Sequence, residues 1–276
     1  MKRFEGKVVL TTGGAGAIGS VTASRFAREG ASIVILDRNE AEATAAAQDL
    51  EKLTGAQVLA VTADVTVEEE VSAAVAAAVQ RFGGIDILFN NAGTNGLRAP
   101  VWDYPVSEWD DLIRINLRGQ FIVLKQVVRA MMSTKRGQAI VNVSSSLAQS
   151  DVHSGGVAYA AAKHGVLGLT RAAAIDVARF GVRVNAICPG IVDTPRSIGA
   201  KSPQERQADL EYRRKRIPLN RLTRTADIAG LVTFLASDDA ANITGCQFLV
   251  DGGQTIQSWS NAPRDGAYPV GWVQEA

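Results

Sequence analysis

Tyr159 and Lys163 stand four residues apart in the run Tyr159-Ala-Ala-Ala-Lys163, where the alanine content favours helix. Positions i and i+4 share a helix face, so the phenol and the ammonium are neighbours. A free tyrosine, with a pKa near ~10, holds its proton at neutral pH, and an adjacent cation lowers that value by favouring phenolate. The pair has the composition of a proton-exchanging couple working near pH 7. The same spacing occurs on surface helices that do no chemistry, so its meaning depends on its surroundings. Just upstream, Gln138-Ala-Ile-Val-Asn-Val-Ser-Ser-Ser146 reads as a buried strand ending in hydroxyls.

A second cluster lies near the N-terminus. Lys7-Val-Val-Leu-Thr11 is a β-type run, followed by Thr12-Gly-Gly-Ala-Gly-Ala-Ile-Gly19 and a helical pattern that stops at Gly30. Strand, glycine turn and helix in that order bring backbone N–H groups at a helix N-terminus within reach of a phosphate, with the macrodipole favouring the negative charge. Gly13, Gly16, Ala17, Ile18 and Gly19 are the residues so placed. The next run, Ala31–Leu36, ends at Asp37, 18 residues beyond Gly19. A carboxylate there suits a ribose diol and repels a 2′-phosphate, which favours NAD over NADP. Arg38 is the counter-signal, since a guanidinium could meet that phosphate.

The alternation continues down the chain. A helix over 40–53 closes at Gly55, a strand over 57–61 leads to Asp64, and Thr66-Val-Glu-Glu69 resembles a capping box opening a helix over 67–82. Strand Ile85–Phe89 delivers Asn90-Asn-Ala-Gly93 to its carboxyl end, where ligands bind in open α/β sheets. Ser107 is placed to cap a long helix reaching about Met132, in which Asn116 is a polar exception. A second long helix covers about 156–180. Both are apolar on more than one face, so each is expected to pack on the sheet and on another subunit. Arg183–Cys188 is a strand ended by Pro189-Gly190. Residues 191–217 read as an irregular, polar, lid-like stretch; helix Thr225–Ala236 and strand Gln247–Val250 complete the pattern. The order predicts one catalytic domain over 1–253, α/β in class, with a doubly wound, mostly parallel seven-stranded sheet and helices on both faces. The tail over 254–276, with Trp259, Tyr268 and Trp272, carries no prediction of regular structure.

Bulk properties exclude several classes. With 46% apolar and 21% charged residues in 276, the chain has the balance of a globular protein. A net charge of +1 argues against nucleic-acid binding by bulk electrostatics. No run is long enough to span a membrane. The two histidines, His153 and His164, are too scattered for a metal site, so none is expected. Cys188 and Cys246 lie in apolar runs and read as buried thiols of a reducing compartment, giving a cytoplasmic expectation.

The Thr12–Gly19 turn, Asp37, Asp64, Asn90–Gly93, Asn116, the serines at 144–146, Tyr159 with Lys163, and Pro189-Gly190 with Thr194 together resemble the short-chain dehydrogenase/reductase family, over Lys7 to Gly253. The resemblance implies an NAD-dependent enzyme that interconverts a secondary alcohol and a ketone. It makes Tyr159 the general acid/base on the substrate oxygen. Lys163 would lower the tyrosine pKa and bind the nicotinamide ribose, a serine would hold the substrate oxygen, and Asn116 would help bind a water. Asp64 and Val65 would flank the adenine, Asn91 would lie on the adenosine side with Ala92 and Gly93 beside it, and Ile191–Thr194, including Val192, would take the carboxamide. The family also suggests a homotetramer.

The chain departs from the family pattern in having Ala17 where glycine is usual. The serine is either Ser145, from strand register, or Ser146, from spacing to Tyr159. An NADPH-dependent ketoreductase, or a dinucleotide sensor without catalysis, are the competing readings. For substrate, Trp102 is either a hydrophobic wall or core, His153 either a hydrogen-bond partner or solvated, and Arg98 and Arg196 either carboxylate ligands or surface charges. The lean is to a cyclic or aryl-substituted alcohol; stereochemistry, direction and the tail's role stay open.

Overall fold

Short β-branched runs alternating with alanine-rich helical segments fold as parallel strands, because each helix carries the chain back across the sheet. The computed structural model of the chain describes residues 2–149, 154–194 and 202–257. Its strands are β1 (Val8–Thr12), β2 (Ser32–Asp37), β3 (Val58–Thr62), β4 (Ile87–Asn90), β5 (Ala139–Val143), β6 (Arg183–Pro189) and β7 (Gln247–Val250). They form one seven-stranded sheet in the order β3-β2-β1-β4-β5-β6-β7. Every pairing is parallel. The strand order turns back between β1 and β4, and the crevice at their carboxyl ends is where such sheets bind ligands.

Helices cover both faces, which is why the strands read as continuous apolar runs. Val9, Ile33, Ile35, Ile87, Phe89 and Val141 face α1 (Ala17–Arg28), α2 (Glu40–Thr54) and α8 (Thr225–Ala236). On the other face, Leu10, Val34, Leu36, Leu88, Ile140 and Val184 meet α3 (Glu68–Phe82), α5 (Gly119–Thr134) and α6 (Val157–Val177).

The structure corrects the sequence reading in several places. The expected single helix from Ser107 to Met132 is α4 (Val106–Ile113), a π-helical turn over Arg114–Arg118, and α5. Pro105, not Ser107, occupies the N-cap. The π turn widens the helix at Asn116, a deformation often found at functional sites. Thr66 does not cap α3: its hydroxyl accepts from Arg114 Nη1 at 2.8 Å, and Val67 stands at the N-cap without a side-chain bond. The stretch over 191–217 is not irregular throughout, because α7 (Pro203–Arg214) forms within it. There the Ser202 hydroxyl accepts from Glu205 N at 3.3 Å while Glu205 Oε2 accepts from Ser202 N at 2.9 Å. Proline at a first helical turn starts a helix rather than stopping one. Cys188 is buried as expected, but Cys246, just before the edge strand β7, is exposed.

At the amino edge of the sheet, buried Asp86 joins three segments. Its Oδ2 accepts from Val8 N at 2.8 Å, and its carboxylate pairs with Arg136, whose Nη1 and Nη2 reach Phe82 O and Gly6 O, each at 3.1 Å. Removing it strands a buried N–H and an arginine together. Asp86→Ala is expected to lower the unfolding free energy by about 2–4 kcal/mol. The urea midpoint should fall with the slope unchanged; an unmoved midpoint would show the clamp to be dispensable.

Candidate active site

The glycine turn connects β1 to α1 at the crevice. Gly13 has φ +60°, a conformation that disfavours a side chain. A Cβ on Gly19 would lie 2.2 Å from Gly13 O, so only glycine lets the helix start so close to the turn. Gly16 is the N-cap of α1 and makes no side-chain cap bond, and Ala17, Ile18 and Gly19 are the first helical residues. Their N–H groups, which have no acceptor within the helix, form an anion site. Asp37 ends β2 beside the turn, with Oδ2 accepting from Ala15 N at 3.3 Å. Arg38 and Asp64 share a groove outside it. Burial works to raise the Asp64 carboxyl, but hydrogen bonds from Thr66 and the charges of Arg114 and Arg38 bring it below the ordinary value. Val65 beside it is buried.

Across the crevice, Asn91 N and Ala92 N donate to the Thr12 hydroxyl at 2.9 and 3.0 Å, and Asn91 Nδ2 donates to Thr12 O at 3.0 Å. Those bonds tie the end of β4 to the turn. Asn116, wholly buried in the π turn, accepts from Thr94 N at 2.8 Å and donates to Thr94 O at 2.7 Å. A Cβ on Gly93 would sit 3.0 Å from Asn116 Oδ1 and 3.7 Å from Lys163 Nζ, so these three residues converge.

Helix α6 brings Tyr159 and Lys163 to the same place, Nζ lying 5.6 Å from the phenol ring centroid. Lys163 is 3% exposed and donates to Val143 O at 2.8 Å. Ser145, rather than Ser146, hydrogen-bonds the Tyr159 side chain. Both serines lie beyond the end of β5 at Val143, Ser145 at the N-cap of a short 3-10 turn and Ser146 as its first residue. On the far side, Gly190 N donates to Val250 O at 3.1 Å after Pro189, and a Cβ on Gly190 would lie 2.7 Å from Asp251 Cβ. Ile191 N donates to Gln254 Oε1 at 3.1 Å, Val192 bridges to Thr223, and Thr194 is buried. Trp102 is not core, since it is 80% exposed in the turn Val101–Asp103. His153 and Arg196 lie outside the described residues. Among the described residues no group of three metal-ligating side chains occurs, and no helix is long and apolar enough to cross a membrane.

A family model described as enoyl-(acyl carrier protein) reductase matches residues 13–255. Levodione reductase of Leifsonia aquatica is 38% identical over 257 residues, covering 92% of this chain and 96% of the relative. A crystal structure of levodione reductase matches at a TM-score of 0.87 and 37% identity, covering 93% of this chain and 100% of that one. The chain belongs to the short-chain dehydrogenase/reductase family. Trans-4-hydroxycyclohexanecarboxylate dehydrogenase of Sinomonas cyclohexanicum is 40% identical, covering 92% of this chain and 94% of the relative. An NAD+-bound xylitol dehydrogenase structure matches at a TM-score of 0.83 and 35% identity, covering 91% of this chain and 100% of that one.

Within this short-chain dehydrogenase/reductase, the electrostatics overturn one expectation. The Tyr159 phenol lies above, not below, its ordinary value, because burial outweighs the Ser145 hydrogen bond. Lys163 does not deliver the expected lowering because it is buried too, which pulls its own pKa down to about 8 against a smaller opposing pull from Cys188. Desolvation disfavours the charged form of each group and dominates both shifts.

Thr12 and Ser144 were named only within the glycine turn and the serine run, and their contacts were not foreseen: Thr12 accepts two strand-end amides, and Ser144 Oγ donates to Lys163 O at 2.8 Å. Asn142 was missed from sequence; its Oδ1 accepts from Asn90 Nδ2 at 3.1 Å and its Nδ2 donates to Thr170 Oγ1 at 3.0 Å. Its signal was a polar residue inside an apolar run, since buried amides are retained where they are bonded.

The lysine carries a stability prediction. Below about pH 8 it is charged in both states, and burying the ammonium costs on the order of 3 kcal/mol. Between about 8 and 10.5 the unfolded chain binds more protons than the folded one, so stability from this group rises with pH. Lys163→Met should therefore be more stable than the parent at pH 7, with the gap closing toward pH 10 in urea midpoints. Parallel pH curves for the two proteins would contradict a depressed lysine.

Proposed function

We propose that the chain is an NAD-dependent dehydrogenase interconverting a secondary alcohol and a ketone, with Tyr159 as general acid/base. The observation that carries this reading is the convergence of Tyr159, its Ser145 hydrogen bond and Lys163 at the same sheet edge as an uncapped, glycine-walled helix N-terminus. Proton exchange and dinucleotide binding then meet in one crevice.

Gly13, Gly16, Ala17, Ile18 and Gly19 would hold the pyrophosphate, Asp37 the adenosine ribose, Asp64 and Val65 the adenine, and Asn91, Ala92 and Gly93 the adenosine side. Pro189, Gly190, Val192 and Thr194 would hold the nicotinamide end. When bound, NAD accepts the hydride and, oxidised, brings a positive charge to the site. In oxidation the Tyr159 phenolate takes the hydroxyl proton and releases it to solvent before the next turnover; in reduction the phenol, the form its raised pKa favours, gives its proton to the carbonyl oxygen. Ser145 fixes the substrate oxygen, Lys163 steadies the phenolate and the ribose, and Asn116 holds the Thr94 backbone beside them. Asp37 supports NAD over NADP because its carboxylate is fixed at the turn by Ala15 N, and Arg38 shares its groove with the Asp64 carboxylate.

The substrate proposal is a cyclic secondary alcohol. Trp102 lends it no support, being exposed; the hydroxycyclohexane relative does. A homotetramer is part of the same reading, since Phe121, Met132, Ile175 and Phe180 leave apolar area exposed on α5, on α6 and just beyond α6. A cytoplasmic location follows from two unpaired thiols.

The test is NADH formation from NAD with aliphatic, cyclic, aryl and sugar-like secondary alcohols. Turnover is expected with a cyclic alcohol, and Tyr159→Phe should lose about 10³-fold in kcat/KM; a variant with parental rate would refute the acid/base role. In the same assay Asp37→Ser is expected to gain roughly tenfold or more for NADP relative to NAD. A parent that already prefers NADP would establish the NADPH-dependent ketoreductase instead. Light scattering should return a tetramer mass, and a monomer would remove the assembly from the proposal.

A further inference from the structure

Gln120 is 1% exposed at the second position of α5, where an apolar side chain would be the simpler occupant. Its Nε2 donates to Val143 O at 3.0 Å, and Lys163 Nζ donates to the same oxygen at 2.8 Å. Its backbone O accepts from Asn90 Nδ2 at 2.9 Å, which holds the first turn of α5 against the end of β4. Its Oε1 is buried with no hydrogen-bond partner among the described residues. A buried acceptor left unmet is costly, so packing alone gives no reason for an amide here.

The acceptor they share is available for a geometrical reason. Pairing of β4 with β5 ends at Asn90↔Asn142, one residue before Val143. Beyond it Ser144 N turns to Ile187 O on β6. Alternation along the strand therefore directs the Val143 carbonyl to the side that β4 has vacated. Its two lone pairs are taken by the amide and the ammonium.

We propose that Gln120 is a positioning residue for Lys163, acting through the shared carbonyl of Val143. The amide N–H draws on the carbonyl's electron density and fixes its direction. The carbonyl then holds the ammonium loosely enough for it to be given up to a bound ribose. Without the amide, Lys163 has the full carbonyl to itself, is held more tightly and keeps its proton to higher pH. The titratable groups facing Lys163 among the described residues are Tyr159 on α6 and Cys188 on β6. From β5 it meets the Val143 carbonyl, and Asn116 of the π turn converges with it at Gly93, so Gln120 acts on a site with few competing charges. The effect on rate rests on the role proposed above for Lys163; the effect on its proton does not.

The experiment is an NMR titration of 15N-lysine-labelled protein, with Lys163→Met identifying the resonance, run beside steady-state kinetics with NAD. In Gln120→Met the Lys163 midpoint is expected to move up by roughly half a pH unit. The pH profile of kcat/KM should move the same way, with KM for NAD rising about threefold as the ribose loses its partner. Gln120→Leu should repeat the result and serves if the first variant does not fold. A Lys163 midpoint unchanged in a folded variant would overturn the proposal and leave Gln120 a packing residue. Should Tyr159→Phe retain full activity while the midpoint still shifts, the acid/base reading fails and the Gln120 inference stands.

Discussion

All seven strands run the same way, and the rest of the molecule depends on that constraint. Parallel strands put every carboxyl end on one edge, so residues remote in sequence become neighbours without any of them being designed as a pair. Thr12, Asp37, Asn90, Val143 and Pro189 are each the last residue of a strand. The glycine turn leaves the first of these, Asp37 is itself the acidic residue at a strand end, and the Asn-Ala-Gly segment, the serines and the Gly190–Thr194 loop leave the other three. Both faces must be sealed by helices for such a sheet to be stable, and the seal supplies α6, which carries Tyr159 and Lys163.

The strand ends are also where polar groups outrun the ladder. Thr12, Asn90, Asn142, Gln120 and Thr170 bond one another across three strands and two helices, all of them 1% exposed or less. A network of this kind is rigid when satisfied and costly when broken. It couples the glycine turn, through Asn90 and Gln120, to the carbonyl that holds Lys163. The glycine turn and the Lys163 carbonyl therefore share one scaffold, and Gln120 Oε1 is the loose end in it.

Much of this was legible because the relevant signals are local. The strand–glycine–helix turn, Asp37 at a strand end and the i, i+4 pair are each set by a few neighbouring residues. The places where the reading failed share a cause as well. Thr66 looked like a cap, but a guanidinium from 48 residues away took its hydroxyl. The helix from Ser107 looked continuous because a π turn changes hydrogen bonding, not apolar content. The stretch over 191–217 looked irregular, but Pro203 opens α7, which depends on a capping box that the local pattern did offer. Trp102 could be read as a hydrophobic wall or as core, and its exposure removes the second.

By itself the sequence determined the seven strands and most of the helices between them, the parallel α/β class, and the candidacy of Tyr159, Lys163, Asn116 and the glycine turn. Backbone propensity, turn chemistry and side-chain period are short-range properties and can be read from a window of chain. Only the tertiary structure decided that Ser145 and not Ser146 meets Tyr159, that Lys163 rests on Val143 O, and that the phenol's proton is held more tightly than in water. Those outcomes turn on burial and on where unrelated strands stop. Desolvation is a property of everything packed around a group, so no window of sequence contains it.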